Sequence, residues 1–328
     1  MLDDYDFALE LEKEGYAAHR LIRILGLKER TYYNRKKREK TEPAPKKKPR
    51  GRPPKETSEI IGVYSENGKE AIITDEQLIE ILKAIYANEN RDDPYYYVKT
   101  MGSKKLSIYL RREKGILVNH KKLDRLRKSQ GWMRKYTSRK HLYNSSKEHL
   151  VQSPDRLWQV DIKMYHTQTH GLLQVLTFLD VYDKWVCGMY IGKHCTYHDV
   201  KRALKEAIRF RGIEPSQLMI RSDNGAQFKA KNLLKYEKEL SIEHEFGIKH
   251  NPNSQAYVES FHSSCQREFE THVLAFDKAD LKNKLNAYIH YYHCLRPHGS
   301  LKYQTPFDFR RAFFENPSIS KENKGGVK

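Results

Sequence analysis

Three of the 42 acidic residues in this 328-residue chain stand in settings that suit chemistry. Asp161 interrupts the apolar run Trp158-Gln159-Val160-Asp161-Ile162. Asp223 follows Leu218-Met219-Ile220-Arg221-Ser222 and leads into Asn224-Gly225. Glu259 comes after Asn251-Pro252-Asn253-Ser254, where a helical pattern opens, and 35 residues separate it from Asp223. Each has an ordinary reading by itself: a solvated turn residue for either Asp, a polar-face residue for Glu259. Together they make an all-oxygen donor set of the kind that suits Mg²⁺ or Mn²⁺. Two such ions can activate a hydroxyl or water on one side of a phosphorus and stabilise the leaving oxygen on the other. The expected chemistry is phosphoryl transfer at a two-metal site, with Asp161, Asp223 and Glu259 as both catalytic residues and metal ligands.

Such a site needs a rigid frame, and the pattern around the acids supplies one. Residues 157–166, 172–180 and 186–191 read as three strands, the first carrying Asp161. A helix is expected over 197–211, with Val200, Leu204, Ala207 and Ile208 inward. Leu218–Arg221 is a short buried strand with Asp223 just past its end, 230–240 is helical, and Ile242–Phe246 is a fifth strand. Three strands followed by alternating helix and strand predict an α/β core, a mixed five-stranded sheet flanked by helices. A helix over 255–272 places Val258, Phe261, Cys265 and Phe269 on one stripe toward the core. Glu259, His262, Ser263, Gln266 and Glu270 then share another face. Glu259 lies nearest the metals, and His262, Ser263 and Gln266, with Arg267 beside them, are candidate DNA contacts. Asn224 and Gly225 shape the turn presenting Asp223. Gln227 either orients a reacting group or serves the loop. A further helix is expected over 278–293. Arg296 and His298 either brace the C-terminal tail or touch a phosphate.

Charge is distributed unevenly over the chain. Residues 35–55 carry 11 Lys/Arg against Glu39 and Glu42, a net of +9, and residues 99–147 carry 16 against Glu113 and Asp124, a net of +14. These exceed the chain's total of +19, so the remainder is slightly negative. Positive charge appended to a near-neutral catalytic region suits a polyanion-binding protein with separate reading modules. Near the N-terminus, Leu21, Ile22, Ile24 and Leu25 form an apolar stripe ending at Gly26. A second helix follows with Arg30, Tyr33 and Arg35 as candidate DNA contacts. The layout suits a helix-turn-helix, or a plain helical hairpin packed on another subunit. Prolines 43, 45, 49, 53 and 54 make the next stretch extended. Within it, Pro49-Arg50-Gly51-Arg52-Pro53 is similar to an AT-hook, with Arg50 and Arg52 along a minor groove. Its alternative is a charged tether.

A second helical unit follows over 74–131, with Leu78, Ile81, Leu82 and Ile85 on one helix and Leu106, Tyr109 and Leu110 on another. Asn119 caps a third helix, with Val118 and Leu123 as its hydrophobic staple. Lys121, Lys122, Arg125 and Lys128 on that helix, with Arg127, are expected to meet DNA. Cys187, Cys195, Cys265 and Cys294 have neither disulfide nor zinc-finger spacing. No apolar run approaches membrane-spanning length, and the acidic start Met1-Leu2-Asp3-Asp4 does not suit a signal peptide. A cytoplasmic, nucleoid-associated setting is expected.

Further motifs carry a family resemblance: Phe178-Leu179-Asp180-Val181-Tyr182-Asp183-Lys184, Ser222-Asp223-Asn224-Gly225-Ala226-Gln227-Phe228, and Tyr292-His293-Cys294-Leu295-Arg296-Pro297-His298-Gly299-Ser300-Leu301 followed by Thr305-Pro306. Over residues ~5–315 the chain resembles integrase-type DDE transposases of bacterial insertion sequences, specifically the OrfB-type products of the insertion-sequence-three group, with a retroviral-integrase-like catalytic core. The resemblance implies a ribonuclease H-like core over 153–275, preceded by two all-α helix-turn-helix modules (1–37 and 61–133). A basic linker (38–60) and a basic connector (134–152) join these parts. A C-terminal helix and tail (276–315) and a disordered end (316–328) complete the chain. It also implies strand cleavage and strand transfer through a circular intermediate, followed by integration. The implied partners are terminal inverted repeats, target DNA, further copies of the chain in a synaptic complex, and an upstream OrfA-type polypeptide. Two positions depart from the group: Gln266, where a basic residue usually stands seven positions after the Glu, and Lys163, where Thr is common. A DNA-binding protein that has lost catalysis, or a structure-selective nuclease on the same fold, are the alternatives.

Overall fold

The computed structural model describes residues 4–40, 62–66, 69–133, 151–247 and 255–315. It divides into two units, residues 1–58 and 59–328. The AT-hook-like string with Arg50 and Arg52, residues 134–150 of the connector, and the end from 316 lie outside the described residues.

In the first unit, α1 (Asp4–Lys13), α2 (Ala18–Ile24) and α3 (Glu29–Lys40) close on a small core of Ala8, Leu9, Leu21 and Tyr32. Tyr32 is fully buried, and its hydroxyl donates to Glu12 at 2.9 Å. The α2–α3 turn needs Gly26, whose φ of +63° is a region that side-chain-bearing residues avoid. Ile24 leaves the expected stripe: at the end of α2 it is 78% exposed. Arg35 turns back to Asp6 at 3.0 Å, so α3 presents Arg30 and Tyr33 to solvent.

The second unit opens with an element that the sequence pattern did not suggest, the antiparallel hairpin of β1 (Gly62–Glu66) and β2 (Lys69–Ile73). Thr74 and Gln77 then form a capping box at the start of α4 (Asp75–Ala87). After a 3₁₀ segment (Pro94–Thr100) come α5 (Ser103–Lys114) and α6 (His120–Ser129), the latter capped by Asn119 as expected. Tyr97, Leu106, Leu110 and Leu123 belong to the same buried cluster as Tyr165, Phe269, Tyr288 and Tyr291. The helices before the sheet therefore share its core.

The sheet combines β3 (Leu157–Thr167), β4 (Gly171–Asp180), β5 (Val186–Gly192), β6 (Met219–Ser222) and β7 (Glu243–Phe246), ordered β5-β4-β3-β6-β7. β3, β4 and β5 are antiparallel neighbours, while β6 and β7 run parallel to β3. On one face, Trp158, Val160, Leu176 and Phe178 pack with α7 (Tyr197–Arg211) and α8 (Lys231–Glu239). On the other, Tyr165, Leu173 and Val175 pack with α9 (Ala256–Cys265) and α10 (Lys278–His290). This is the ribonuclease H-like arrangement. At the α7 end, Arg211 and Arg310 of α11 (Pro306–Glu315) share Asp155 and Asp183, which ties the last helix to the sheet.

The expected helices 255–272 and 278–293 are each interrupted. α9 passes into a wider π-type turn at Gln266–Glu270, and α10 into another at Tyr291–Leu295. The wide turns bury sequence neighbours, Glu268 with Phe269 and Tyr291 with Tyr292 and His293, that a 3.6-residue period would separate. Among the described residues, no helix is long and apolar enough to cross a membrane.

Candidate active site

The β3–β6 register ends with Val160 opposite Ser222, so Asp161 is the next residue on β3 and Asp223 the first residue past the end of β6. Adjacent strands lie about 4.8 Å apart. Asp161 is held mid-strand opposite Thr177 of β4, whereas Asp223 leaves the sheet where β6 ends. Its carboxylate folds back to accept the Gly225 N–H at 2.9 Å, and Asn224 donates to the Gly247 carbonyl at 2.7 Å. A Cβ at Gly225 would meet the movable end of the Gln227 side chain and approach the Asp223 carboxylate, so the turn packs closely around this glycine. Beneath it, Ser222 Oγ donates to the Asp223 carbonyl and lies 2.8 Å from His244 Nε2, while His244 Nδ1 lies 2.8 Å from Glu237. This buried polar chain escapes sequence reading because its members come from three elements.

Glu259 is positioned by a residue two places from Asp161. Gln159 is fully buried, and its Oε1 accepts the N–H groups of both Tyr257 and Val258 at 3.0 Å. It therefore caps the first turn of α9, whose amides have no partner within the helix. Val258, Phe261, Cys265 and Phe269 are buried, the stripe that their spacing indicates. Glu259 stays exposed at the turn that Gln159 fixes. Partial burial and then the Asp161 charge push its carboxyl upward, and His262 pulls it back. Gln159→Ala is expected to cost about 1–2 kcal/mol, the usual loss for a helix cap. Faster hydrogen exchange at the Tyr257 and Val258 amides would show it; unchanged exchange would dismiss the cap.

The remaining residues of α9 and the π-type turn after it divide sharply. Ser263, Gln266 and Arg267 are exposed. His262 is 8% exposed and turns inward, its Nδ1 3.2 Å from Asp161 Oδ2. Lys163 bridges β3 to this segment, 3.2 Å from the His262 carbonyl and 2.6 Å from Glu270. Among the described residues, the acids gathered within 4.8 Å are not these three: that group is Asp155 and Asp180 with Cys187. Arg211 is paired to both acids, so the group is an ion-pair network.

On α6, Lys121, Arg125 and Lys128 are exposed, while Lys122 pairs with Asp75 at 2.7 Å. Arg127 is buried, donating to Tyr86 and Ser103. Arg296 is buried on Glu268, and His298 Nε2 lies 3.0 Å from the Tyr292 carbonyl, so both brace the C-terminal segment.

Comparison with known proteins matches residues 151–252 to the integrase core domain family and residues 240–306 to a second family of that description. An uncharacterized protein of insertion element IS407 from Burkholderia multivorans is 24% identical over 68% of this chain and 81% of its own length. The transposase of insertion sequence element IS904 from Lactococcus lactis is 23% identical over 48% of this chain and 62% of its own. Residues 151–306 thus match integrase core domains, and the chain is similar to proteins of bacterial insertion elements. A putative integrase of Spiroplasma virus SpV1-C74 is 26% identical over 56% of this chain and 55% of its own length. The chain thus spans little more than half the length of some of these relatives. Among solved structures, the HTLV-2 integrase catalytic core domain in complex with magnesium is 18% identical, with a TM-score of 0.39 over 48% of this chain and 97% of that one.

Proposed function

We propose that this chain cuts a transposon end to expose a 3′-hydroxyl and joins that end to another phosphodiester, using Asp161, Asp223 and Glu259 to hold two Mg²⁺ or Mn²⁺ ions. The observation that supports the reading is the tie to one strand: Asp161 and Asp223 each follow the last β3–β6 register pair, and Gln159 of the same strand caps the helix of Glu259. The donor set fits a hard cation. Partial burial first and then the Asp161 charge push the Glu259 carboxyl upward, and a bound cation would offset the repulsion between these two acids. When bound, the ions activate the attacking oxygen and stabilise the leaving one.

The protein's own part is to hold these carboxylates rigidly and to place DNA. Exposed Lys121, Arg125 and Lys128 suit phosphate contact, Arg30 and Tyr33 suit the N-terminal unit's contact, and Ser263, Gln266 and Arg267 border Glu259. Assembly of further copies at paired ends, a circular intermediate and an OrfA-type partner belong to the same reading.

The test is cleavage and joining by the full chain on duplexes bearing the element's inverted repeats. Mg²⁺ and Mn²⁺ are expected to support both steps, and Ca²⁺ to support binding without turnover. Full activity in a strong chelator would defeat the two-metal reading; cleavage indifferent to the end sequence would indicate a nuclease. Replacing Lys121, Arg125 and Lys128 together by Ala is expected to make the log–log salt slope of binding shallower by about 2 to 3, at roughly 0.9 per lost phosphate contact. An unchanged slope would take α6 off the DNA.

A further inference from the structure

We infer that His262 is a nitrogen ligand to the cation held by Asp161, so that the site has a mixed nitrogen–oxygen donor set. The inference rests on the metal reading above and concerns a residue that the three-carboxylate scheme does not use. His262 Nδ1 stands 3.2 Å from Asp161 Oδ2. Two neighbouring ligands on a six-coordinate ion, each bonded at about 2.1 Å, are about 3.0 Å apart. The observed contact is therefore close to the spacing of two ligand atoms that share one ion.

The surroundings narrow the alternatives. The ring is more than nine-tenths buried, too enclosed for the DNA contact that its place three residues after Glu259 suggests. Nε2 is buried with no hydrogen-bond partner, so the polar contact of the ring is the one that Nδ1 makes with Asp161. Its backbone is tethered to the metal-bearing strand: Lys163, two residues after Asp161, donates to the His262 carbonyl. The imidazole is thus aimed at the Asp161 carboxylate by the chain on both sides.

A nitrogen donor changes which ion the site prefers. Mg²⁺ favours oxygen donors and water, whereas the affinity of a nitrogen-bearing site rises through the first-row ions from Mn²⁺ to Fe²⁺, Co²⁺ and Ni²⁺, so imidazole tilts the site from Mg²⁺ toward the transition ions. The wild-type chain is expected to discriminate for Mn²⁺ over Mg²⁺, and His262→Phe to lose that discrimination. Mn²⁺ affinity should fall on the order of tenfold, the lower end for perturbing a metal's ligand shell, with Mg²⁺ affinity moving less.

The decisive measurement is pulsed electron paramagnetic resonance of Mn²⁺ bound to the full-length protein. Modulation from a directly bonded nitrogen is expected in the wild type and absent in His262→Phe with Mn²⁺ still bound. If His262→Phe does not fold, His262→Gln supplies the same comparison, and ¹⁵N-histidine labelling of the wild type must change the modulation pattern. Bound Mn²⁺ without nitrogen coupling, or coupling that survives the replacement, would overturn the inference and leave the carboxylate site standing. Mn²⁺ binding that is equal in wild type and Asp161→Asn would overturn both.

Discussion

Asp161→Asn, Asp223→Asn and Glu259→Gln are each expected to lower strand cleavage and joining by on the order of 10³-fold or more, while binding to end DNA stays within about threefold. A catalytic metal contributes several kcal/mol of charge stabilisation, and each 1.36 kcal/mol is about tenfold in rate. The amide replacements keep volume and remove charge, so folding should survive. Asp223 is set by its turn, and Asp223→Asn can still accept from the Gly225 N–H. Loss of activity there would therefore report charge and not turn geometry. The retained binding follows from position: exposed Lys121, Arg125 and Lys128 lie on another helix. Single-turnover cleavage and joining, measured beside a binding titration, separate the two effects. Near-wild-type joining by any one variant would remove that residue from the site.

The frame of this site was legible because two periodicities run through it. Strand-like runs ending at Asp223 and surrounding Asp161, and the Val258, Phe261, Cys265 and Phe269 stripe, each follow from a local repeat. What was not legible depends on partners far apart in the chain. Gln159 reads as one polar residue in an apolar run until the amides of Tyr257 and Val258 arrive above it. His262 reads as a member of the Glu259 face, since spacing alone does not show that β3 passes close enough to bury it. Charge misled at α6 in a similar way. A run of five cations suggests a uniformly exposed helix, yet Arg127 serves the core and Lys122 serves Asp75. That the helical unit before the sheet shares the core of the sheet was also hidden from local pattern. Tyr97 donates to the Lys284 carbonyl and packs against Tyr288 and Tyr291, so division of the chain near residue 147 would open an aromatic core.

The largest expected effect on stability lies in the segment that follows the site. Arg296 grips Glu268 at both carboxylate oxygens, with Nε and Nη2 each at 2.8 Å, and reaches Ser264 at 3.2 Å. Both charges are buried, and the pair joins the π-type turn after α9 to the Leu295-Arg296-Pro297 stretch after α10. Removing one partner leaves the other charged and enclosed, which costs about 3–5 kcal/mol. Arg296→Met or Glu268→Gln should therefore lower Tm by roughly 6–20 °C, at about 2–4 °C per kcal/mol for a unit of this size. Glu268→Leu combined with Arg296→Met should recover much of the loss, because paired apolar replacements leave no orphan charge. Acid stability gives a second readout. Burial alone would raise the Glu268 carboxyl, but the Arg296 guanidinium outweighs it and holds the group below its usual range. A depressed folded-state value means that the contribution is fully present above the unfolded value near about 4.3. It is lost as pH falls through the lower, folded one. Wild type should thus lose stability steeply below about pH 4, and Glu268→Gln should lose less over the same interval while starting from a lower Tm. Thermal unfolding from pH 7 to pH 3 measures both. Equal acid slopes, or a double variant no better than the singles, would show that the pair is not what closes the C-terminal segment onto α9.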